Sequence, residues 1–444
     1  MIQFFKQLYL KQRVFYGFGI LVILFGCSYV FPLLYRVAWG ALGLFTALII
    51  VDILLLFAKS SHLHADRILP EKLSNGDNNP IGIDLKNKAA FALHCEIIDE
   101  IPFQFQKRDF NIQLHLKAKE QRSITYSLSP KERGVYQFGK LNIYVSSPLQ
   151  LISKRYMYAE AANTACYPSF IQMKKYDLIA FSKNKFAYGL KKIRKIGNTT
   201  EFEQIKEYVI GDDIRTINWK ATAKKQELMV NQFQDENTQS IYCLIDKGRA
   251  MQMPFDGLSL LDYAINATLA LSNVILKKND RVGMMTFSNT IDNKLPAENK
   301  KTQLHKIMEQ LYHVKTNFFE SDYSRLYAQV KHHITHRSLL ILFTNFEAMA
   351  NLERQLPYLR ALAKNHLLVV VFFENTELSK LASKSAKNVD DIFDKVIAEK
   401  FTFEKRLIVN ELTKYGIQSV LTKPEDLSIQ TINKYLQIKA KGIL

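Results

Sequence analysis

Cysteine is scarce in this chain of 444 residues: Cys27, Cys95, Cys166 and Cys243 lie far apart, and no two of them form a CxxC pair. This spacing indicates neither a disulfide framework nor a zinc ribbon. Cys27 lies in a long apolar run, and the other three lie in apolar, strand-like runs. We therefore expect buried free thiols in a reducing compartment.

Motifs for nucleotide binding and hydrolysis are also missing from the sequence. It contains no P-loop motif, no GxSxG and no HExxH, and the GxG at Gly17–Gly19 lies inside an apolar run. No nucleophile with a neighbouring base can be named. We therefore expect no catalytic residue, no small-molecule substrate and no enzymatic activity.

Acidic residues are outnumbered, since 42 Asp and Glu accompany 60 Lys and Arg and give a formal net charge of +18. Part of this charge forms a basic cluster at Lys174, Lys175, Lys183, Lys185, Lys191, Lys192, Arg194 and Lys195. The cluster either contacts anionic lipid of the inner leaflet, at about 1 kcal/mol per basic residue, or is a solvated face without a dedicated partner. No recognised nucleic-acid-binding motif accompanies it, so we do not expect nucleic acid as a partner.

Two long apolar runs lie in residues 1–60, at Val14–Leu34 and Trp39–Ala58. Each is close to the ~20 residues that a helix needs to cross a bilayer, and Pro32 falls where a turn would form. A cleaved signal peptide is the alternative for the first run, but it would leave the second unexplained. The sequence therefore predicts a hairpin of two transmembrane helices.

Charges that flank the two runs predict the orientation of the hairpin. Lys6, Lys11 and Arg13 precede the first run, and Lys59 and Arg67 follow the second. The positive-inside rule then places both termini in the cytoplasm, with the hairpin in the inner (cytoplasmic) membrane and the lipid bilayer as a partner.

Asp52 is an ionisable residue within the second apolar run. Such a residue is either a functional group inside the membrane or, near the cytoplasmic end of the helix, a side chain that reaches the interface. We favour the interfacial position.

Short alternating runs separated by polar turns fill residues 61–170. Their spacing of roughly ten residues predicts a β-sandwich-like antiparallel domain. The runs are Ile81–Leu85, Ala90–Ile97, Asn111–Leu116, Ser123–Leu128, Leu141–Val145 and Leu149–Ser153.

Strands alternate with amphipathic helices in residues 240–444. The expected strands are Ile241–Ile245, Val282–Phe287, Leu339–Phe343, Leu367–Phe373 and Ser419–Leu421. The expected helices are Leu258–Leu276, Thr302–Tyr312, Tyr323–Thr335, Glu353–Ala363, Phe403–Tyr415 and Ile429–Gln437. This alternation predicts parallel βαβ units in a doubly wound, Rossmann-like α/β domain, whose ligands bind outside the carboxyl ends of the strands.

The most specific pattern of the chain lies between these domains, where residues 171–239 form a basic linker and a signature segment. The signature comprises Glu201, Phe202, Glu207, Tyr208, Gly211, Asp212, Asp213, Arg215, Ile217, Trp219 and Ala223. It resembles the signature of the domain-of-unknown-function 58 (DUF58) family. The resemblance implies a membrane-tethered protein with a von Willebrand factor A-like (vWA) domain that works with a MoxR-type AAA+ ATPase.

The signature residues are expected to be structural. The run from Gly211 to Arg215 places Asp212 and Asp213 beside an arginine, which favours a charged network that holds this segment against the sheet with Trp219 as a hydrophobic anchor. Paired carboxylates also act as general acid and base or bind a metal. An enzyme built on the two aspartates is therefore an alternative.

The resemblance also implies where a functional site would lie. A vWA domain carries a metal-ion-dependent adhesion site, with Asp-x-Ser-x-Ser after its first strand and an Asp after its fourth. Here residues 246–250 read Asp-Lys-Gly-Arg-Ala, and Thr344 and Asn345 follow the fourth expected strand. Both serines and the second aspartate are replaced, and the basic neighbours oppose a divalent cation. We expect a degenerate site.

Two functions are open for this site. The first is a metal-free docking surface on a non-enzymatic, membrane-anchored scaffold or adaptor, with Asp246 paired to a basic neighbour. Its candidate residues are Asp246, Lys247, Arg249, Thr344 and Asn345. The second is a magnesium-dependent adhesion or sensing module. Its candidate ligands are Asp246, Ser321, Thr344 and Asp322.

Histidines also cluster near the end of one expected helix. His332 and His336 lie one turn apart, with His333 between them, and this spacing suits two zinc ligands. No third ligand is identifiable nearby, and histidines also suit a helix C-terminus electrostatically. We do not expect zinc.

Overall fold

A computed structural model describes residues 6–58, 62–158, 161–181, 201–209, 214, 217–234, 238–384 and 388–442. The chain divides into two compact units, Met1–Tyr167 and Pro168–Leu444.

Two apolar helices open the first unit, α1 at Gln12–Ser28 and α2 at Leu33–Phe57. One stretch, Leu34–Phe57, is long and apolar enough to cross a membrane, whereas α1 is apolar but shorter. Large apolar side chains such as Ile20 and Leu44 are exposed, at 66% each. Such exposure suits a lipid environment better than water. The number of spans and their orientation stay predictions.

The end of α2 packs into the β-rich part of the same unit. Asp52 is fully buried, and one of its carboxylate oxygens accepts hydrogen bonds from the backbone N–H groups of Leu151 (3.0 Å) and Ile152 (2.9 Å). The carbonyl of Leu56 accepts a bond from the Lys154 ammonium at 3.3 Å. Two backbone donors thus bind the Asp52 carboxylate inside the protein, and its expected position at the membrane interface stays a prediction.

Eleven strands of the first unit form three sheets. They are β1 (Leu8–Leu10), β2 (Leu63–Ile68), β3 (Lys72–Ser74), β4 (Asn79–Asn87), β5 (Leu93–Asp99), β6 (Ile112–Leu116), β7 (Gln121–Leu128), β8 (Gly134–Phe138), β9 (Leu141–Ser146), β10 (Ile152–Tyr158) and β11 (Ala162–Tyr167). The sheet orders are β1-β10-β9-β5-β6, β2-β4-β7 and β3-β11-β8, with only the β3–β11 pair parallel among these strands.

Most strands expected in this region lie where the alternation predicts them, but one is displaced. The run Leu149–Ser153 overlaps only the start of β10, because a turn occupies its first residues. The N–H of Gln150 donates to the carbonyl of Ser147 at 3.2 Å, and Gln150 has a left-handed φ of 53°.

A buried ion pair joins the sheets of the first unit. An Arg67 guanidinium nitrogen lies 2.6 Å from one Asp99 oxygen, and the Tyr126 hydroxyl donates to the other at 2.5 Å. Arg67 also donates to the carbonyl of Gly139 at 2.9 Å. Both charged side chains are at most 1% exposed, and burial beside Asp99 raises the pKa of Tyr126.

The second unit contains a six-stranded sheet. Its strands are β14 (Ser240–Asp246), β17 (Arg281–Phe287), β18 (Ile291–Glu298), β19 (Leu339–Phe343), β20 (Leu367–Phe373) and β21 (Gln418–Thr422). They lie in the order β18-β17-β14-β19-β20-β21, and all run parallel except the edge strand β18. Numbered along the chain, this is 3-2-1-4-5-6, the strand order of doubly wound sheets.

Helices cover both faces of this sheet. The described helices of the unit are α3 (Phe170–Phe181), α4 (Trp219–Lys225), α5 (Leu260–Lys277), α6 (Gln303–His313), α7 (Tyr323–His333), α8 (Met349–Asn365), α9 (Thr376–Ser383), α10 (Val389–Lys414) and α11 (Leu427–Lys441). Apolar residues of α5, α6 and α11 form one core with alternate strand residues, and those of α7, α8 and α10 form a second core on the opposite face. Successive strand residues point to opposite faces, so one strand supplies both cores.

Four described elements of this unit differ from the expectation. The helix expected at Phe403–Tyr415 begins at Val389 instead, and several apolar side chains of its first half are exposed, among them Phe393 at 68%. The antiparallel strand β18 and the short helix α9 were not expected. Part of the expected linker forms α3, whose Met173 and Tyr176 pack against the core that contains α5.

The signature segment forms a hairpin of β12 (Glu201–Glu207) and β13 (Met229–Gln234), with α4 between the strands. Trp219 is 70% exposed at the start of α4, so the expectation that it anchors the segment by burial is wrong. Asn218 is the N-cap of α4 and accepts a bond from the N–H of Ala221 at 3.0 Å.

A two-stranded pair, β15 (Pro254–Phe255) and β16 (Leu258–Ser259), precedes α5.

We predict that Arg67→Met lowers the free energy of unfolding of the first unit by about 3–5 kcal/mol, because it leaves the Asp99 carboxylate buried without a cation. The double variant Arg67→Met with Asp99→Asn removes both charges and should cost clearly less than the sum of the single changes. Chemical denaturation of the purified full-length protein measures both. Strict additivity would show that the pair contributes no coupling.

Candidate functional site

The carboxyl ends of two neighbouring parallel strands bring the first candidate residues together. Asp246 is the last residue of β14, and Thr344 directly follows β19, which is paired with β14. Strand order reverses at this point of the sheet, because the chain leaves β14 toward β17 and later returns on its other side at β19. This is the switch point at which doubly wound sheets bind their ligands.

The carboxylate of Asp246 is 2% exposed and is held by neutral donors. One oxygen accepts bonds from the Gly248 N–H (2.8 Å) and the Ser321 hydroxyl, and the other accepts one from the Thr344 hydroxyl (2.7 Å). Burial raises the pKa of Asp246, and these hydrogen bonds partly offset the increase. The Asp246 side chain thus connects the end of β14, the residue after β19 and the loop before α7.

Tyr323 and Asp322 fix the loop that carries Ser321. The Tyr323 hydroxyl lies 2.7 Å from the Thr344 hydroxyl, and burial raises the pKa of this tyrosine well above its usual value. Asp322 caps α7, because its carboxylate accepts the N–H groups of Ser324 (2.9 Å) and Arg325 (3.1 Å). The Asp322 carboxylate is used as a helix cap and does not line the cavity at Asp246. No pattern in the sequence indicates this role of Tyr323.

Close packing explains why position 248 lacks the first serine of a metal site. A Cβ atom there would lie 2.9 Å from the Phe319 carbonyl oxygen and 3.1 Å from an Asp246 oxygen, and would also clash with the Ser321 hydroxyl. The φ of Gly248 is −73°, a value open to any residue. The constraint is therefore steric, and Ser321 supplies the hydroxyl beside Asp246 instead.

Neither basic neighbour pairs with Asp246. The Lys247 ammonium forms an ion pair with Asp292 of the edge strand β18, and burial lowers the pKa of Lys247. Arg249 is exposed, and its N–H donates to the Phe319 carbonyl at 3.0 Å. The expected pairing of Asp246 with Lys247 or Arg249 is wrong, since Lys247 pairs with Asp292 and the donors that bind Asp246 are neutral.

Asn345 contacts a lysine that the sequence analysis did not identify. Its side-chain oxygen accepts a bond from the Lys405 ammonium of α10 at 2.8 Å, and this ammonium also donates to the Phe346 carbonyl. Burial lowers the pKa of Lys405 to about 8, although the carboxylate of Glu347 opposes the shift.

A small, polar cavity of about 100 Å³ lies over Asp246. Its wall includes the carboxylates of Glu320 and Glu347 and the guanidinium groups of Arg249 and Arg354. Arg354 lies 3.7 Å from Glu320, with both side chains at least 60% exposed. Charges of both signs therefore line the mouth of the cavity.

These residues do not fit a standard magnesium site, which requires about six oxygen ligands in octahedral geometry. Asp246 is the only buried carboxylate in the described cluster, the hydroxyls of Ser321 and Thr344 already donate to it, and the Asn345 oxygen is bound to an ammonium. Within the described ranges, no group of three or more His, Cys, Asp or Glu side chains is arranged to hold a metal.

The other candidates lie apart from this cluster or outside the described residues. Gly211, Asp212, Asp213 and Arg215 are outside them, as are the basic residues from Lys183 to Lys195. Glu207 and Tyr208 lie at the end of β12, and the N–H of Tyr208 donates to the carbonyl of Leu228 at 2.8 Å. The side chain of Glu201 is not described. The ring of His333 lies 3.0 Å from the Gln329 carbonyl at the end of α7.

Comparison with known proteins finds a family match over part of the chain. Residues 204–391, from the signature hairpin to the start of α10, match the family described as protein of unknown function DUF58. An uncharacterized protein, YeaD of Bacillus subtilis (strain 168), is 20% identical over 222 residues, which is 49% of this chain and 53% of YeaD. The chain thus spans about half the length of this curated relative.

Solved structures show only weak similarity. The conserved hypothetical protein BatB from Bacteroides thetaiotaomicron is 14% identical with a TM-score of 0.31, covering 46% of this chain and 99% of BatB. A CARDB domain from Pyrococcus furiosus, solved with di-metal ions, is 13% identical with a TM-score of 0.17, covering 23% of this chain and 86% of that domain. Scores this low carry no argument about fold or function.

We predict that two substitutions of Asp246 differ in their effect on stability. Asp246→Ala should lower the free energy of unfolding by about 1–3 kcal/mol, because it leaves buried donors unpaired. Asp246→Asn should be tolerated, since the amide oxygen accepts the bonds of Gly248 and Ser321 while the amide N–H donates to Thr344. Thermal unfolding of the full-length protein compares the two variants. Equal loss in both would show that the negative charge itself is required.

The stability of the wild type relative to Asp246→Asn should also depend on pH. The pKa of Asp246 is raised in the folded protein. Protonation of Asp246 therefore contributes its full stabilisation below the unfolded pKa of about 4, and this contribution is lost as pH rises through the pKa of the folded protein. The advantage of the asparagine variant should therefore grow with pH and then level off.

We predict that Gly248→Ala destabilises the second unit by about 1–3 kcal/mol through overpacking. Adding Ser321→Ala removes the clashing hydroxyl, so the double variant should lose less stability than the sum of the single changes. Unfolding curves of the three variants test this coupling. A harmless Gly248→Ala would show that position 248 tolerates the serine of a metal site.

Proposed function

We propose that this protein is a non-enzymatic, membrane-anchored adaptor whose vWA-like unit docks another protein at the Asp246 edge of its sheet without a metal ion. The observation that carries the proposal is that protein donors already bind both oxygens of Asp246. Its carboxylate acts as an internal clamp that shapes the surface around it.

The loop shaped by this clamp presents two aromatic side chains. Phe318 and Phe319 are 63% and 58% exposed, although Ser321 and the Phe319 carbonyl are held against Asp246 and Arg249. Phe318 has a left-handed φ of 58°, which is uncommon for a bulky residue and costs strain energy. Exposed aromatic residues beside an arginine on a rigid loop are typical of protein-binding hot spots.

The membrane anchor is supported by the long apolar stretch Leu34–Phe57. In this proposal α1 and α2 form a two-span hairpin in the inner (cytoplasmic) membrane, with both termini and the docking surface in the cytoplasm. The basic cluster at 174–195 would contact the anionic lipid surface.

The proposed partner is a MoxR-type AAA+ ATPase, in complex assembly or envelope maintenance. This choice rests on the resemblance to the DUF58 family, which the match over residues 204–391 supports. The mixed charges around the cavity suit a polar, reversible contact of the kind that assembly factors form.

We predict that Phe319→Ser and Phe318→Ser each weaken binding of the purified MoxR-type ATPase from the same cells about tenfold or more, the effect of a hot-spot residue. Phe403→Ser is the matched control, because Phe403 is 59% exposed on α10 and does not line the cavity at Asp246. Biolayer interferometry with the full-length protein in nanodiscs measures the affinities. Equal effects in all three variants would refute this docking surface, and no binding at all would refute the partner.

A magnesium-dependent adhesion or sensing module is the second candidate. The convergence of Asp246, Ser321 and Thr344 favours it, because one carboxylate and two hydroxyls lie in mutual contact. Magnesium should then raise the Tm of the wild type, and Asp246→Asn should abolish that rise. The metal-free proposal expects no change in either protein.

A further inference from the structure

A second, larger cavity of about 570 Å³ lies at the carboxyl ends of β19, β20 and β21. Its wall is mainly apolar and includes Phe255, Phe373, Leu378, Phe401 and Leu421. The strand pair β15–β16 supplies one side, and α9 and α10 supply another. Its volume lies within the range of small-molecule binding sites, which combine apolar walls with a few placed polar groups.

Lys405 is a buried charged group of this wall. It is 9% exposed, and its ammonium donates to two neutral acceptors, the Asn345 amide oxygen and the Phe346 carbonyl. An ammonium group has three N–H donors, and no described carboxylate lies within ion-pair distance of this one. A buried cation without a counter-ion is costly, and its remaining donor is available to a ligand.

Acidic residues around the cavity do not neutralise this lysine. Glu347 is exposed and acts on Lys405 only at longer range, Glu377 is exposed, and Glu374 accepts a bond from the Ser379 hydroxyl at 2.9 Å. Arg406 also lines the cavity, but it is exposed. Lys405 is therefore the buried charge of this wall, and its described hydrogen-bond acceptors are both neutral.

We propose that this cavity binds a small organic carboxylate with an apolar body, whose carboxylate accepts a hydrogen bond from Lys405 while the body contacts Phe255, Phe373 and Phe401. A single ammonium among apolar side chains matches one carboxylate better than a phosphate dianion, which requires several donors. An ion pair with the ligand would also compensate the burial of the lysine charge.

This proposal does not rest on the proposed docking function, although the two cavities share Asn345. Phe401, Lys405, Arg406 and Leu421 follow residue 391, where the DUF58 match ends. Failure of either proposal therefore leaves the other intact.

The first test measures how fast Lys405 is reductively methylated near pH 8, with peptide mass spectrometry as readout and exposed Lys400 of the same helix as internal control. The probes are phenylacetate and hexanoate, each compared with its neutral amide. At about 10 mM, above the millimolar Kd expected for ligands this small, the carboxylates should slow methylation of Lys405 about fivefold and leave Lys400 unchanged. Equal protection by acid and amide, or no protection, would overturn the proposal.

The second test measures binding of the same probes directly by saturation-transfer difference NMR on the full-length protein in nanodiscs, with empty nanodiscs subtracted. Lys405→Met keeps the length of the side chain and removes its charge, so it should abolish the preference for acid over amide while residual amide binding reports an intact pocket. Thr402→Phe fills the cavity and should abolish binding of both probes. A persisting acid preference in Lys405→Met would assign the carboxylate to another group.

Discussion

The buried carboxylate of Asp246 joins three segments that are far apart in the sequence: the end of β14, the loop before α7 and the residue after β19. Each contact comes from a neutral donor, and together these donors replace the water that the carboxylate loses on burial. Such an arrangement stabilises the edge of the sheet only while every donor is present, because a partly satisfied buried charge is costly. The shape of the loop that carries Phe318 and Phe319 therefore depends on this one side chain.

The two cavities at this edge share Asn345, and the identity of that residue affects both. An aspartate at this position, as in a vWA metal site, would lie within hydrogen-bond distance of the Lys405 ammonium and form an ion pair with it. The amide accepts the same bond at 2.8 Å without supplying a negative charge. With asparagine at position 345, the neighbouring Lys405 therefore has no counter-ion from this residue.

Periodicity located the parallel strands, and the resemblance to a vWA domain pointed to Asp246 and Thr344, which follow two strands whose carboxyl ends share one edge of the sheet. Periodicity missed features that depend on tertiary contacts. The strand β18 contains Pro296 and alternates irregularly, so the ion pair of Asp292 with Lys247 was not foreseen. Lys405 lies in an amphipathic helix in which a buried lysine has no sequence signal. The burial of Asp52 was not foreseen, because its two N–H partners, Leu151 and Ile152, lie about a hundred residues later.

The contact between Asp52 and β10 has a mechanical consequence for the first unit. Helix α2 ends inside the β-rich core, where Ile53 and Phe57 pack beside strand residues, so helix and sheet share one rigid joint. A rotation or displacement of α2 would therefore act first on β10 and on the strands paired with it.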